Sequence, residues 1–245
     1  MLFKVSLLFA AATLLSAGRV PRIIGGQDTP IEEDPWQVSL VVGGDHACGG
    51  SIYSQDFVIT AAHCVSKVNP EKLQVRAGST LRSQGGTLHR VAAIKCYPGY
   101  SNSEFWKNDI AVIRLSEPLE FSDRVQSIPL AVADPEAGAQ AKITGWGWTF
   151  KNGAMQIPDI LQGVAIPIVS RACCQLKYPE FGITEAVICA GTSHKSTLFE
   201  DSGGPLTVNK QLVGVVCGGR YGSPIMYSSV IYHKDWILGA IEALS

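Results

Sequence analysis

Residues 109–115 read DIAVIRL, a short apolar run that the turn-forming residues 116–118 bring to an end. Runs of the same kind follow one another after Ile23, with Gly, Pro, Asn and Asp between them. They are WQVSLVV at 36–42, SIYSQDFVIT at 51–60, LQVRAG at 73–78, HRVAAIKCY at 89–97, AKITGWG at 141–147, GVAIPIV at 163–169, AVICAG at 186–191, LVGVVCGG at 212–219 and IMYSSVIY at 225–232. Many short strands separated by turn residues predict an all-β barrel or sandwich architecture.

Helical periodicity is strongest at the end of the chain. In YHKDWILGAIEALS, residues 232–245, apolar side chains recur on one face of a helix. They are Trp236, Ile237, Ala240, Ile241 and Leu244. A second, short helical turn is expected after Ser170. Residues 121–138 lack periodicity and are rich in turn formers, so we expect them to connect two halves of the molecule.

The composition is that of an ordinary globular protein. The chain has 245 residues, 46% of them hydrophobic, which is enough to bury the core of one large or two small domains. Its 20 basic and 21 acidic residues nearly balance, so we expect no nucleic acid partner and no membrane partner. The chain contains no CxxC or HExxH motif and its five histidines are scattered, so we expect no metal site and no cofactor.

The N-terminus has the pattern of a secretory signal peptide. Lys4 precedes a largely apolar run from Val5 to Leu15, and small residues follow at 16–18. The run is too short to span a bilayer. We therefore expect residues 1–18 to be a signal peptide and the protein to be secreted and extracellular; a buried N-terminal helix is the alternative. Export would place the seven cysteines in an oxidising compartment, where their odd number leaves at least one unpaired or intermolecular.

Three local motifs occur in the order histidine, aspartate, serine. They are TAAHC around His63, NDIAVIRL around Asp109 and DSGGPL around Ser202. RIIGG at 22–26, CGGSI at 48–52, GWG at 145–147 and CAG at 189–191 accompany them. Through these motifs the chain, from Ile23 to its C-terminal helix, resembles the chymotrypsin and trypsin family of secreted serine proteases, and in particular the trypsin-like proteases of insects. One such motif would be weak evidence, but the ordered set is specific.

The resemblance implies an all-β fold of two antiparallel six-stranded β-barrels, with the site in the cleft between them, and a C-terminal α-helix. A signal peptide at 1–18 and a pro-segment at 19–22 would precede a protease domain at 23–245. Within that domain we expect the first barrel at about 23–122, the second at about 123–232 and the helix at about 233–244.

The resemblance makes Ser202 the nucleophile, His63 its base and Asp109 the residue that orients His63. A serine hydroxyl is a poor nucleophile until a base takes its proton. Imidazole can accept that proton near neutral pH and return it to the leaving amine. Taken singly, a histidine after two alanines is usually a core residue and Asn-Asp-Ile is usually a turn. In this order and context they predict a catalytic triad.

Activation by proteolysis is also implied. Cleavage after Arg22 would free the α-amino group of Ile23, which the resemblance pairs with Asp201. A buried carboxylate is costly unless it is paired, so the site of the uncleaved chain should be less ordered. Asp201 as an ordinary turn residue is the alternative.

Glu200 departs from the family pattern, which has glycine at this position. The backbone N–H groups of Glu200 and Ser202 would bind the developing oxyanion, and glycine suits such a close approach of backbone to ligand. A side chain at Glu200 could strain or flip the peptide. Its charge would be largely screened if it points into solvent, so the backbone effect is the larger concern.

The expected substrate pocket departs from the family as well. Ser196 lies at its base, where trypsin-like enzymes carry an aspartate for Lys or Arg substrates. Cys217 to Gly219 replace the usual Ser-Trp-Gly edge, and Ile225 replaces a glycine of the opposite wall. Ser196 removes the counter-charge and Ile225 takes up volume. We therefore expect small or medium uncharged residues before the scissile bond.

The resemblance pairs Cys48 with Cys64 and Cys174 with Cys189. Two other disulfides that are common in the family are missing. Leu198 replaces a cysteine of one, and Ala141 and Val208 replace both cysteines of the other. The remaining cysteines, Cys96, Cys173 and Cys217, would be buried small hydrophobes or intermolecular links. The calcium loop of trypsins is not evident, because no acidic residue lies between residues 74 and 95.

These features predict a secreted serine endopeptidase, made as a zymogen, that hydrolyses peptide bonds through an acyl-enzyme on Ser202. The expected partners are protein or peptide substrates, an activating protease and protein protease inhibitors, and we expect a monomer. The alternative is a protease homologue with weak or no turnover that acts as a binding module. A fluorophosphonate label on Ser202 would distinguish the two.

Overall fold

The computed structural model describes residues 26–101, 107–151, 154–192, 201–220 and 222–245. The expected signal peptide and pro-segment lie outside these residues, as does the junction between Arg22 and Ile23. Three further positions singled out above also lie outside them: Ser196, Leu198 and Glu200.

Most of the first half of the chain forms one closed antiparallel barrel. A two-residue strand, β1 (Gln27–Asp28), comes first and pairs outside this barrel. The barrel strands are β2 (Gln37–Val42), β3 (Asp45–Ile52), β4 (Phe57–Thr60), β5 (Leu73–Ala77), β6 (Thr87–Cys96) and β7 (Ala111–Leu115). They pair in the order β2-β3-β4-β7-β6-β5, and β5 pairs back with β2. Closure leaves no exposed strand edge in this half.

The remaining strands build a second barrel. They are β8 (Gln140–Gly145), β9 (Thr149–Lys151), β10 (Ala154–Gln156), β11 (Gln162–Val169), β12 (Val187–Ala190), β13 (Pro205–Val208), β14 (Gln211–Gly218) and β15 (Ile225–Ser229). β9 and β10 form a hairpin, and the other six pair in the order β8-β11-β12-β15-β14-β13. Because β13 pairs back with β8, this sheet also closes. The short strand β1 pairs with β11 of this barrel.

Within the described ranges, three α-helices accompany the barrels: α1 (Ala62–Val65), α2 (Arg171–Lys177) and α3 (Val230–Leu244). The Ser170 side chain caps α2 by accepting a hydrogen bond from Cys173 N, and Ser229 caps α3 by accepting one from Tyr232 N. Helix α3 begins at Val230, before the expected 233, because the serine that ends β15 already supplies its cap. No helix of the described ranges is long and apolar enough to cross a membrane.

The packing explains why DIAVIRL becomes an inner strand. Ala111, Val112 and Ile113 of β7 are all fully buried, because the barrel core lies on one side and α3 packs on the other. The apolar face predicted for α3 is the face that meets this core, with Ile237 and Ala240 buried. Burying a side chain such as Ile113 is worth about 1.5–3 kcal/mol. The predicted architecture of two antiparallel six-stranded barrels and a C-terminal helix is confirmed.

Candidate active site

The pairing of β4 with β7 brings His63 and Asp109 together. Thr60, at the end of β4, faces Ala111, at the start of β7. His63 follows one strand and Asp109 precedes the other, so both lie at the same end of the barrel. The Asp109 carboxylate accepts hydrogen bonds from His63 Nδ1 at 2.6 Å and from His63 N at 2.8 Å.

This geometry determines which nitrogen of His63 carries the proton. The Asp109 side chain is fully buried, and as a carboxylate it can only accept, so Nδ1 must donate. The imidazole is 26% exposed, and in its neutral form Nε2 keeps a lone pair for a proton from elsewhere. The pair therefore has the arrangement of an oriented general base.

A second layer of contacts holds the Asp109 backbone. Ser228 Oγ, at the end of β15, donates a hydrogen bond to Asp109 O at 2.8 Å. Cys217 Sγ lies 3.1 Å from the same hydroxyl. The single proton of the Cys217 thiol has two acceptors within reach, Ser228 Oγ and Val215 O, the latter 3.6 Å from Sγ. Burial, and next the Asp109 charge, raise the pKa of Cys217 well above its ordinary value, so the group stays a thiol.

Ser202 lies in a tight turn that contacts the first barrel. Ser202 O accepts a hydrogen bond from Gly49 N at 2.7 Å, and Gly204 N donates to Asp201 O at 3.0 Å. Gly203 has a φ of +77°, and a Cβ there would lie 2.3 Å from Thr60 Oγ1. Only glycine fits, which explains the residue after the serine in DSGG.

Ser202 is not hydrogen-bonded to His63 within the described part of the chain. His63 Nε2 instead lies 3.6 Å from Cys64 Sγ. In proteases without substrate the hydrogen bond to the nucleophile is often long, so this contact does not exclude a nucleophilic role. Cys48, Cys64 and His63 have the proximity of metal ligands, but both sulfurs belong to one disulfide and offer no thiolate.

Asp201 is buried and tightly packed. Its side chain is 1% exposed and its Oδ1 accepts a hydrogen bond from Gly147 N at 2.9 Å. A Cβ on Gly145 would lie 2.2 Å from this oxygen, so the GWG motif leaves the room that the carboxylate occupies. Ile23, its expected partner, lies outside the described residues.

Among the residues expected to line the substrate pocket, Ile225 and Gly219 lie against each other. Ile225 is 4% exposed, and a Cβ added to Gly219 would lie 2.8 Å from Ile225 Cδ1. Tyr178, which the sequence interpretation missed, closes the same region: its hydroxyl donates to Pro224 O at 2.6 Å and accepts from Arg220 N at 3.0 Å. The local sequence around Tyr178 does not predict these two hydrogen bonds, because both partners are more than 40 residues away along the chain.

The structure contains the disulfides Cys48–Cys64 and Cys174–Cys189. The other three cysteines are free thiols: Cys96 is half-buried, Cys173 exposed and Cys217 buried. Burial, and then the Asp109 charge, raise the pKa of Cys96.

Comparisons with known proteins identify the family of the chain. The Trypsin family model matches residues 23–237. Trypsin alpha of Drosophila erecta is 41% identical over 259 aligned positions that cover 99% of this chain and 100% of that protein, and trypsin alpha of Drosophila melanogaster matches equally well. The structure of neuropsin, a serine protease expressed in the limbic system of mouse brain, superimposes with a TM-score of 0.79 at 31% identity, over 88% of this chain and 98% of neuropsin. With a fold, a His63–Asp109 pair and a serine turn of this kind, the chain belongs to the trypsin family of serine proteases.

Proposed function

We propose that this serine protease is a secreted endopeptidase that cleaves peptide bonds through an acyl-enzyme on Ser202, with His63 and Asp109 as the other members of the triad. The observation that carries the proposal is the two-point contact of the buried Asp109 carboxylate with His63. It fixes the imidazole with Nε2 available to accept a proton. A packed histidine without a catalytic task does not need a fully buried carboxylate on its Nδ1.

The steps follow from these positions. Ser202 Oγ attacks the peptide carbonyl carbon while its proton passes to His63 Nε2. Asp109 stabilises the imidazolium that results. The proton then goes to the amine that leaves as the C–N bond breaks, and an ester to Ser202 remains. Water repeats the sequence, giving its proton to His63, and frees Ser202. The N–H groups of Ser202 and Glu200 are the donors that we assign to the oxyanion.

We further propose that the chain is made as a zymogen, cleaved after Arg22 by an activating protease, with the new amino group of Ile23 pairing with Asp201. Burial of Asp201 favours this role, because a carboxylate that is 1% exposed needs a charged partner or several hydrogen bonds. The signal-like residues 1–18 support secretion. Protein protease inhibitors are further expected partners, and we expect the mature enzyme to be a monomer.

The contact between Ile225 and Gly219 supports a preference for small or medium uncharged residues before the scissile bond. Two walls that touch leave little depth for a long side chain, and Ser196 offers no counter-charge to Lys or Arg. Tyr178 lies against the same glycine, with its hydroxyl 2.8 Å from where a Gly219 Cβ would be.

A fluorophosphonate probe tests the central claim. Protein cleaved after Arg22 should be labelled at Ser202, and both S202A and H63A should abolish labelling. Peptide hydrolysis by the same preparation should disappear in parallel. A correctly folded, cleaved wild type that neither reacts with the probe nor hydrolyses peptides would instead support the binding-module alternative.

A further inference from the structure

Three polar side chains that the proposed reaction steps do not use are fully buried where β15 joins α3: Ser228, Ser229 and His233. Burying polar groups is costly unless each is hydrogen-bonded, so their partners indicate what they do. Ser229 caps α3. The other two reach outwards to the segment that carries Asp109.

That segment is a strained turn. Asn108 has a φ of +54°, in the left-handed region that non-glycine residues seldom adopt. Asn108 O accepts a hydrogen bond from Ile110 N at 2.9 Å, so Asp109 is the middle residue of a three-residue turn. A conformation of this kind persists only when its surroundings hold it.

Both polar atoms of the Asn108 side-chain amide have a contact. Its Nδ2 donates to Gly99 O at 3.2 Å, and its Oδ1 lies 3.3 Å from His233 Nε2. His233 is anchored in turn, because its Nδ1 donates to Ser229 O at 2.7 Å and its ring meets Tyr97 edge-on at 5.0 Å. Both ring contacts are to acceptor oxygens, and burial lowers the pKa of His233, which favours the neutral ring. The single ring proton then lies on Nδ1, 2.7 Å from Ser229 O, so Nε2 packs against Asn108 Oδ1 at 3.3 Å without donating to it.

Ser228 holds the same turn one residue further on, through its hydrogen bond to Asp109 O. The β15–α3 junction therefore contacts the turn at two successive residues, at the Asn108 side chain and at the Asp109 carbonyl. Neither contact reaches the carboxylate itself. They act on the backbone that aims it at His63.

We propose that Ser228 and His233 are positioning residues for the reaction: together they hold the Asn108–Ile110 turn so that the Asp109 carboxylate stays aligned with His63. This inference rests on the proposed function, since it assigns a purpose to the alignment of the triad. Neither residue touches substrate.

The test compares four single variants and one double variant of the full chain, each cleaved after Arg22 and assayed at one fixed pH with active-site titration. S228A removes the hydrogen bond to Asp109 O, and H233F removes both polar contacts of the His233 ring. H233Q keeps a polar group beside Asn108 Oδ1 and can donate an amide N–H to it. S229A is the matched control, because it removes the cap of α3 from the same junction but leaves the Ser229 carbonyl, and so the His233 contact, in place.

We expect S228A and H233F to lower kcat about tenfold each, the change that the loss of one hydrogen bond of typical strength brings, with KM nearly unchanged. H233Q should recover most of the kcat lost in H233F. S229A should lower Tm and leave kcat unaltered. The S228A/H233F double variant should lose less than the product of the single losses, because both contacts act on one turn.

A readout that does not need turnover keeps the two proposals apart. The proton between His63 Nδ1 and Asp109 gives a strongly deshielded NMR signal, which should weaken or shift in S228A and H233F but not in S229A. An inactive wild type with this response would count against the proposed function alone. An unchanged signal, or kcat values in S228A and H233F equal to that of S229A, would overturn the positioning role.

Discussion

Glu200 is the single residue most able to limit the proposed chemistry. One oxyanion donor is worth about 2.7–4 kcal/mol, because it acts on charge that exists only in the transition state. A left-handed backbone at a non-glycine residue costs roughly 1–2 kcal/mol, which is enough to favour a flipped peptide. We predict that E200G raises kcat about tenfold or more with little change in KM, since substrate binding itself recovers part of the donor geometry. Single-turnover acylation by an activated ester measures this.

E200Q is the control for that prediction, because it removes the charge and keeps the side chain. If the backbone is the cause, E200Q should acylate like the wild type. An acylation rate in E200G that is equal to or below that of the wild type would mean that Glu200 already presents its N–H correctly.

Ile225 governs the second residue-scale prediction. In I225G, the space that Ile225 Cδ1 occupies against Gly219 becomes free. We expect kcat/KM for substrates with a large apolar residue before the scissile bond to rise at least tenfold relative to alanine substrates, since each methylene that a pocket accepts is worth about 1–3 kcal/mol. A peptide library profiles both enzymes. A wild-type profile dominated by Lys and Arg would contradict the pocket assignment.

Local sequence predicts the role of a residue only when the residues next to it in the chain form a recognisable motif. His63, Asp109 and Ser202 stand in short motifs whose residues shape each turn, such as Gly203, so they could be singled out before the fold was known. Ser228 and His233 could not, because their partners lie 119 and 125 residues away along the chain. Such contacts become visible only after the barrels close.

At the scale of elements, the turn from Asp201 to Gly204 depends on one residue, Gly203. A Cβ at Gly203 would meet Thr60 Oγ1 at 2.3 Å and Gly49 O at 2.6 Å. We predict that G203A lowers the free energy of unfolding by about 2–5 kcal/mol, through backbone strain and overpacking together, and abolishes labelling of Ser202. Urea unfolding and the fluorophosphonate probe measure the two effects.

G138A provides the matched control for this turn. Gly138 also has a positive φ, +89°, but a Cβ there meets nothing within 4 Å. The free energy of unfolding of G138A should therefore fall only by the cost of the left-handed backbone, about 1–2 kcal/mol, and labelling of Ser202 should stay complete. Equal losses of unfolding free energy in G203A and G138A would show that the first-barrel residues next to Gly203 shift to make room for the added methyl group.

The elements themselves were largely predictable, and their partners were not. Alternating and apolar runs indicate strands, and the spacing of Ile237 and Ala240 indicates the buried face of α3. The grouping of the strands into two six-stranded barrels came from the family resemblance, whereas the order in which they pair, including the return of β13 to β8, is seen only in the structure. Many short strands of similar composition fit several sheets equally well, so periodicity alone does not choose among them.

For the whole molecule, the site depends on how the two barrels meet. His63 and Asp109 belong to the first barrel, while Ser202 follows β12 and precedes β13 of the second. The hydrogen bond from Gly49 N to Ser202 O joins them directly. A change in the packing of the second barrel around Asp201 therefore reaches Ser202, the proposed nucleophile, which is the next residue along the chain.

Activation is the prediction that follows at this scale. The uncleaved chain has no free α-amino group at Ile23, so the proposed ion pair with Asp201 cannot form in it, and removing one partner of a buried ion pair costs about 3–5 kcal/mol. We predict that protein starting at Ile23 reacts with a fluorophosphonate roughly a hundredfold or more faster than protein that retains RVPR, and that it unfolds at a higher temperature.

D201N is the control, because the amide keeps the size of the side chain and its acceptor for Gly147 N but has no charge to pair with an ammonium group. In D201N the cleaved and uncleaved forms should react at similar, low rates. If cleaved and uncleaved wild type label equally fast, or if D201N still gains from cleavage as much as the wild type does, the amino group of Ile23 does not act through Asp201, and the buried carboxylate serves only the turn that precedes Ser202.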